Sequence, residues 1–166
     1  MQTIIHLIAD GLVIPIILVG AIVLLVKVPK GHRFAAYSRV LMAGLTAYLI
    51  AQFIAQIYQP SFERPFQLLG VSPGALYLNN PGFPSDHALF VTAITLAVWF
   101  ETRIKWITAL LAIGVVLVCV GRVLALVHTP LDVIAGVLIA LIGSLWYIQG
   151  KSNNKERPVG NNIKQT

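Results

Sequence analysis

Residues 121–132 read Gly121-Arg122-Val123-Leu124-Ala125-Leu126-Val127-His128-Thr129-Pro130-Leu131-Asp132. This stretch places an arginine, a histidine and an aspartate between two long apolar runs. Ionisable side chains at the ends of membrane segments are costly, so they indicate a functional site before they indicate a structural role. We therefore interpret residues 121–132 as one side of a site at a membrane surface.

The composition around this stretch predicts a membrane protein. The 166 residues are 57% hydrophobic and only 11% charged, whereas a soluble domain carries roughly 25% charged residues. The mean hydropathy is +0.82, and the apolar residues form blocks of about the length that crosses ~30 Å of hydrocarbon. We expect an all-α, polytopic transmembrane bundle of about five helices. The predicted spans are 11–28, 35–58, 84–100, 106–121 and 130–149.

Outside these spans, the sequence predicts little further structure. We expect a single domain over residues 1–150 and a polar tail, 151–166, that is disordered. Residues 1–10 either extend the first helix or lie in the interface, where His6 and Asp10 would form a polar pair on one helix face. Cys119 is the single cysteine, which excludes a disulfide framework and a thiolate metal site.

The basic residues predict the orientation in the membrane. Ten of the twelve lie on one predicted side: Lys27, Lys30, Arg33, Arg39, Arg103, Lys105, Lys151, Lys155, Arg157 and Lys164. Arg64 and Arg122 lie on the other side. Positive residues concentrate in cytoplasmic loops, so we expect a multi-pass protein of the inner (plasma) membrane with a cytoplasmic C-terminus. This distribution, rather than nucleic-acid binding, explains the net charge of +6.

A second polar cluster, Pro84-Ser85-Asp86-His87, begins the third predicted helix on the same outer face. The N-terminus of a helix offers free N–H groups and a positive dipole end, which suits an anion. Ser85 either caps the helix or donates to a phosphoryl oxygen, and His87 is placed to protonate a leaving group. The alternative is a capping residue followed by an interfacial histidine.

His128 and Asp132 have the spacing of a nucleophile and the group that orients it. If Thr129 caps the fifth helix and Pro130 occupies its first turn, Asp132 lies within reach of one ring nitrogen of His128. Arg64 and Arg122 then offer forked donors that match phosphate oxygens. The alternatives are a capping aspartate beside an interfacial histidine, and an arginine that extends toward the interface.

Together these motifs resemble the type 2 phosphatidic acid phosphatase superfamily of membrane lipid phosphatases. That family carries Lys-x6-Arg-Pro, Pro-Ser-Gly-His and Ser-Arg-x5-His-x3-Asp. Here the third motif is Gly121-Arg122, then His128 and Asp132 at the family spacing; the second is Pro84-Ser85-Asp86-His87; and the first survives as Arg64-Pro65. The resemblance covers about residues 50–149 and includes the order of the motifs.

The resemblance implies a mechanism. His128 attacks phosphorus and forms a phosphohistidine, Asp132 supports it, and His87 protonates the leaving group. The residues implied to hold the substrate phosphate are Arg64, Ser85, Asp86 and Arg122. This scheme requires no cofactor and no metal, and the sequence shows no His/Asp/Glu cluster with convincing metal spacing.

Three positions depart from the family pattern. The lysine of the first motif falls at Ile57, which removes a positive group unless Gln52, Gln56 or Gln59 substitutes by hydrogen bonding. The serine of the third motif is Gly121, and the glycine of the second is Asp86. The aspartate variant is similar to that of bacterial undecaprenyl-diphosphatases within this superfamily.

We therefore expect an enzyme that hydrolyses a lipid (di)phosphate, with undecaprenyl diphosphate as the favoured substrate. A phosphatidylglycerophosphate or phosphatidic acid phosphatase is the alternative within the same class. A non-catalytic lipid-phosphate-binding protein is the alternative from another class, and Ile57 is its best support. A transporter is disfavoured because the spans show no paired half-repeats.

The predicted orientation can be tested by cysteine accessibility. In a Cys119→Ser background, we expect a membrane-impermeant maleimide to label Ser72→Cys in intact cells, because residues 59–84 face outward. Gly31→Cys should react only after permeabilisation. Labelling of Gly31→Cys in intact cells, with Ser72→Cys protected, would reverse the orientation.

Overall fold

The computed structural model describes residues 2–60, 63–78 and 82–152, and within them every regular element is helical. The α-helices are α1 Gln2–His6, α2 Val13–Lys27, α3 Arg33–Ile57, α4 Pro65–Leu68, α5 Asp86–Thr102, α6 Lys105–Leu124, α7 Pro130–Gly143 and α8 Leu145–Ser152. A π-helical turn, Leu7–Gly11, joins α1 to α2, and a 3₁₀ turn, Lys30–His32, leads into α3. The all-α prediction is confirmed.

Within the described part of the chain, four helical stretches are long and apolar enough to cross a membrane: Thr3–Lys27, Lys30–Ile57, Lys105–Leu124 and Pro130–Ile148. α5 has 17 residues, the short end of the spanning range of about 17–25. The five predicted spans therefore coincide with α2, α3, α5, α6 and the pair α7 and α8. Because the first stretch begins at Thr3, the N-terminal residues extend the first helix rather than lying apart from it.

The last predicted span contains two helices. The span predicted over 130–149 corresponds to the stretch Pro130–Ile148, within which α7 ends at Gly143 and α8 begins at Leu145. Between them the hydroxyl of Ser144 donates to the carbonyl oxygen of Leu141 at 2.6 Å. α8 continues to Ser152, so it includes the first residues of the predicted polar tail, 151–166. Residues 153–166, on which the prediction of disorder rests, lie outside the described residues.

α5 is the central helix and packs against α2, α3, α6 and α7. Its buried residues are mostly small or β-branched, including Ala88, Val91, Ala97 and Val98. Large apolar side chains such as Leu25, Phe34 and Val116 are exposed on the outer helices, as expected for surfaces that face lipid rather than water. The membrane-protein prediction is consistent with this distribution.

α7 approaches its neighbours through glycines. A Cβ atom at Gly136 would lie 2.5 Å from the carbonyl oxygen of Ser85, and one at Gly143 would lie 2.5 Å from that of Ala43. Small residues let membrane helices pack backbone to backbone. The contact at Gly136 holds the start of α5 against α7, and the backbone N–H of Ser85 donates to the carbonyl oxygen of Asp132 at 3.0 Å.

The far end of α5 is held by an ion pair. Arg39 of α3 donates from Nε and Nη2 to the two carboxylate oxygens of Glu101, at 2.8 and 2.7 Å. Such a forked pair fixes direction as well as distance. α5 is thus anchored by charge at its C-terminal end and by close backbone packing at its N-terminal end.

The close approach at Gly136 gives a stability prediction. Gly136→Ala should lower the free energy of unfolding by about 1–3 kcal/mol, because the added Cβ overlaps backbone that cannot move aside. A lower melting temperature in detergent would show this effect. The matched control is Gly44→Ala in α3, where nothing lies within 4 Å of an added Cβ; equal melting temperatures for the two variants would contradict the packing argument.

Candidate active site

The turn between α6 and α7 brings Arg122 and His128 to the same place. Leu126 within this turn has a φ of 58°, in the left-handed region, which costs about 1–2 kcal/mol for a residue other than glycine. The outer loop holds the turn, because the N–H of Phe66 donates to the carbonyl oxygen of Leu126 and that of Gly74 to Ala125, both at 3.0 Å. The loop and the turn therefore form one unit.

α7 begins with a capping box. The Thr129 hydroxyl accepts from the N–H of Asp132 at 3.3 Å, and Oδ2 of Asp132 accepts from the N–H of Thr129 at 2.7 Å. Pro130 occupies the first turn, where its missing N–H is not needed. Oδ2 of Asp132 also lies 3.5 Å from Nδ1 of His128. The aspartate thus caps the helix and faces the histidine, so the two interpretations of it are compatible.

The contacts of His128 assign its tautomer. Its Nε2 lies 3.3 Å from Nη2 of Arg122, and a guanidinium only donates. Nε2 must therefore accept, which places the ring proton on Nδ1, toward Asp132. Burial is the larger influence and lowers the pKa of His128 below its ordinary value, while the hydrogen bond to Asp132 opposes this shift. A neutral imidazole whose Nε2 carries a lone pair rather than a proton is the form required of a nucleophile.

Arg64 approaches the same point from the outer loop. Its Nη1 donates to the carbonyl oxygen of Val127 at 2.5 Å and its Nη2 to that of Leu78 at 3.2 Å. The guanidinium also lies over the ring of Tyr77, 5.4 Å from the centroid. Burial lowers the pKa of Arg64 from its ordinary value, and Asp132 opposes the shift most strongly. Two backbone carbonyl oxygens therefore help to position this arginine.

The second motif, Pro84 to His87, lies at the start of α5. Asp86 and His87 are partly buried there. Ser85 occupies the cap position, but its side chain makes no capping hydrogen bond. Among the residues that the structure describes, the buried Ser85 hydroxyl has no hydrogen-bond partner. The capping alternative for Ser85 is therefore wrong, and its role toward a phosphoryl oxygen stays a prediction.

These side chains border a small cavity. The lining residues are Arg64, Leu78, Gly82, Pro84, Asp86, His87, Arg122 and His128. A Cβ atom at Gly82 would lie 3.2 Å from Nη1 of Arg64 and 3.4 Å from Nδ1 of His128. The structure thus brings together five of the seven predicted site residues around one cavity. The other two are not in its described lining: Asp132 contacts His128, and Ser85 immediately precedes α5.

One contact of this site was missed in the sequence. Nη1 of Arg122 donates to Oδ1 of Asp10 at 2.5 Å and to the carbonyl oxygen of Leu76 at 2.9 Å. The sequence predicted a contact of Asp10 with His6, and that contact is also present, with Nε2 of His6 3.5 Å from Oδ2 of Asp10. The available signal was the cost of a carboxylate in an apolar segment, which demands a partner, but the sequence does not say which arginine supplies it.

The proposed substitutes for the missing lysine are not at the cavity. Ile57 is 67% exposed at the end of α3. Gln59 uses its amide nitrogen to donate to the carbonyl oxygens of Ala55 and Phe83, at 2.7 and 3.1 Å. Gln52, Gln56 and Gln59 are absent from the described lining of the cavity. Gln59 therefore supports the segment before the second motif, and the substitution hypothesis is not supported.

Comparison with known proteins assigns the family. The model of the PAP2 superfamily matches residues 35–156. The chain belongs to the PAP2 superfamily. It is 32% identical, over 149 residues, to an undecaprenyl-diphosphatase of Sulfolobus acidocaldarius, and the match covers 84% of this chain and 70% of that protein. No solved structure matches the chain. Membership makes this protein a lipid phosphatase of the membrane.

The charges of the cavity suit phosphoryl transfer. Arg64 and Arg122 can stabilise charge on phosphoryl oxygens, His128 presents a lone pair on Nε2, and His87 lines the same cavity. Within the described residues, no group of three or more His, Cys, Asp and Glu side chains is arranged to hold a metal ion.

The environment of His128 predicts the pH dependence of phosphate release. With His128 as the predicted nucleophile, only its neutral imidazole can attack, so kcat/KM should rise with pH through the pKa of His128. Because burial lowers that pKa, the midpoint of the acid limb should lie below the ordinary value of about 6.5. Asp132→Asn removes the group that raises the pKa, so the limb should move to still lower pH. A limb at the same pH in both enzymes would instead reflect ionisation of the substrate phosphate.

Proposed function

We propose that this lipid phosphatase hydrolyses undecaprenyl diphosphate to undecaprenyl phosphate through a phosphohistidine intermediate. The observation that carries the proposal is the environment of His128, whose Nε2 lies beside Nη2 of Arg122 while Nδ1 faces Asp132. A group that only bound phosphate would need the arginines but not an imidazole oriented in this way.

The proposed reaction has two steps. Nε2 of His128 forms a bond to the terminal phosphorus, the bond from that phosphorus to the lipid phosphate oxygen breaks, and His87 gives a proton to the departing oxygen. Asp132 stabilises the positive charge left on the imidazole ring. Water then attacks the phosphohistidine, His87 accepts a proton from that water, and inorganic phosphate leaves, which restores both histidines.

Arg64 and Arg122 are proposed to hold the phosphoryl oxygens throughout, with Ser85 as a further donor. Asp86 lies at the cavity edge, where its carboxylate disfavours an unshielded phosphate. The aspartate at this position is also the variant of the second motif that resembles bacterial undecaprenyl-diphosphatases. This feature, with the named relative from Sulfolobus acidocaldarius, supports a diphosphate over phosphatidic acid or phosphatidylglycerophosphate.

The location follows from the same proposal. The positive-inside bias supports an inner (plasma) membrane protein with its site on the extracytoplasmic face and its C-terminus in the cytoplasm. Residues 1–150 would form one catalytic domain and the tail would add no chemistry. Hydrolysis on the outer face would regenerate the monophosphate carrier used for cell-wall biogenesis.

Phosphate release by the purified protein tests this proposal. With undecaprenyl diphosphate in detergent and EDTA present, we expect release by the wild type and a loss of at least about 1,000-fold in His128→Ala, because the nucleophile is removed. The matched control is His32→Ala, a histidine in the connection between α2 and α3, at the opposite end of the bundle. Phosphatidic acid and phosphatidylglycerophosphate are assayed in parallel.

The outcomes separate the alternatives. Release only from the phosphatidyl lipids would reject the diphosphate and keep the enzyme. Release that survives in His128→Ala would reject the phosphohistidine. If none of the three lipids is hydrolysed while the protein still binds them, the non-catalytic binding protein that Ile57 favours becomes the better account.

A further inference from the structure

We propose that Asp10 is a positioning residue that fixes the guanidinium of Arg122, and that Gly121 is the residue that lets Asp10 reach it. This inference rests on the proposed function, in which Arg122 holds phosphoryl oxygens. It assigns a role in the site to the first membrane segment, which contains none of the three motifs.

Asp10 and Arg122 belong to a closed set of hydrogen bonds. Oδ1 of Asp10 accepts from Nη1 of Arg122 at 2.5 Å, and Oδ2 accepts from the N–H of Leu76 at 2.7 Å. Nη1 of Arg122 completes the ring by donating to the carbonyl oxygen of Leu76 at 2.9 Å. The carboxylate therefore ties α6 to the outer loop, and both of its oxygens are used.

The guanidinium needs this support because it is buried. Arg122 is only 1% exposed, and a buried charge without a partner carries a large desolvation cost. The guanidinium is planar and rigid, so holding Nη1 between Asp10 and Leu76 also fixes the direction of Nη2. That nitrogen lies 3.3 Å from Nε2 of His128, where it would meet an oxygen of the phosphoryl group under attack.

The hydrogen bonds that join Asp10, Leu76 and Arg122 also bear on the position of the second arginine, Arg64. The backbone of Leu76 is held by Asp10, and two residues later the carbonyl oxygen of Leu78 accepts from Nη2 of Arg64 at 3.2 Å. Leu78 also lines the cavity. Movement of Asp10 would therefore disturb Arg122 directly and the Arg64 side of the cavity through the loop.

The position of Asp10 depends on Gly121, which allows the first segment to pack closely against α6. A Cβ atom at Gly121 would lie 3.0 Å from the backbone nitrogen of Ala9 and 3.1 Å from its Cα. The backbone of the first segment therefore contacts α6 at Ala9, one residue before Asp10. On α6 the contact is at Gly121, one residue before Arg122. The π-helical turn Leu7–Gly11 occurs at this contact, and such turns often occur at functional sites.

His6 does not explain the placement of Asp10. Its Nε2 lies 3.5 Å from Oδ2 of Asp10, but its side chain is 54% exposed. An exposed pair of this kind contributes little. The buried contact of Asp10 is the one with Arg122, whose side chain is 1% exposed.

Asp10→Asn is the sharpest variant. The amide keeps the size of the side chain, but it has one acceptor oxygen instead of two, and its NH₂ group can only donate. It cannot accept from both Arg122 and Leu76. We expect kcat/KM to fall about 10- to 100-fold through loss of orientation, with partial recovery in Asp10→Glu. His6→Ala, the matched control, should stay within about twofold of wild type, because an exposed contact of this kind contributes little.

A double-mutant cycle separates positioning from a general structural role. Arg122→Lys keeps the charge but removes the planar fork. If Asp10 acts through Arg122, Asp10→Asn should change kcat/KM less than about twofold in the Arg122→Lys background. A general loss of structure would instead reduce activity by the same factor in both backgrounds, and that result would overturn the inference.

Gly121→Ser offers an independent variant that leaves Asp10 intact. Its side chain would push the backbone of Ala9 away and should reproduce the loss seen for Asp10→Asn. Gly44→Ser, where an added Cβ meets nothing within 4 Å, should not. Full activity in both Gly121→Ser and Asp10→Asn would overturn the inference while leaving the proposed function standing.

Binding of orthovanadate keeps the test decisive if the wild type hydrolyses none of the three lipids. That result would sink the proposed function, but not a shared anion site. Orthovanadate should then bind the wild type at least about tenfold more tightly than Asp10→Asn, since a charge-assisted hydrogen bond from Arg122 depends on the orientation of its guanidinium. Equal affinities, or no binding to the wild type, would overturn the positioning role.

Discussion

The burial of the Arg122 guanidinium is the constraint on which the outer end of this bundle depends. A cation that is 1% exposed at the end of a membrane helix is tolerated only when its donors are satisfied and its charge is compensated. Asp10 supplies the charge and Leu76 supplies a carbonyl oxygen. The first segment, the outer loop and α6 are thereby required to meet at one point, and His128 follows six residues later.

The two arginines of the site are held in different ways. Arg64 is held by the carbonyl oxygens of Val127 and Leu78. Arg122 is held by a carboxylate and a carbonyl oxygen, and a charge-assisted hydrogen bond fixes its orientation more strongly. Arg122 is therefore a source of a fixed direction beside the predicted nucleophile.

Much of the fold could be predicted because it depends on local properties of the chain. Blocks of apolar residues predict the helices. Arg122, His128 and Asp132 lie close together in space because a short turn and a capping box fix the chain between them. The interruption at Ser144 was not predicted, because the residues on both sides of Gly143 and Ser144 continue the same apolar run. The contact between Asp10 and Arg122 joins residues 112 positions apart, and no local pattern reports such a pair.

Side-chain contacts to backbone carbonyl oxygens could not be predicted from the sequence either. Gln59 was considered as a partner for substrate because it is polar and near the first motif, but its amide nitrogen is directed to Phe83 and Ala55. Likewise, Ser85 was expected either to cap α5 or to bind phosphate, and only the position of its hydroxyl removes the first choice. Residue type alone does not distinguish a side chain that serves the backbone from one that serves a ligand.

The replacement of the family lysine by Ile57 can be weighed against the other charges around the site. Of the formal charges around the site, Arg64 and Arg122 are positive, while Asp10, Asp86 and Asp132 are negative. Side-chain charge alone would therefore not attract a diphosphate. The N-termini of α5 and α7 both lie at the site, at Asp86 and Pro130, and each contributes a partial positive charge equivalent to about half an elementary charge. Attraction of the substrate then depends less on a single lysine than on two helix ends, and the close packing at Gly136 is what keeps those two ends together.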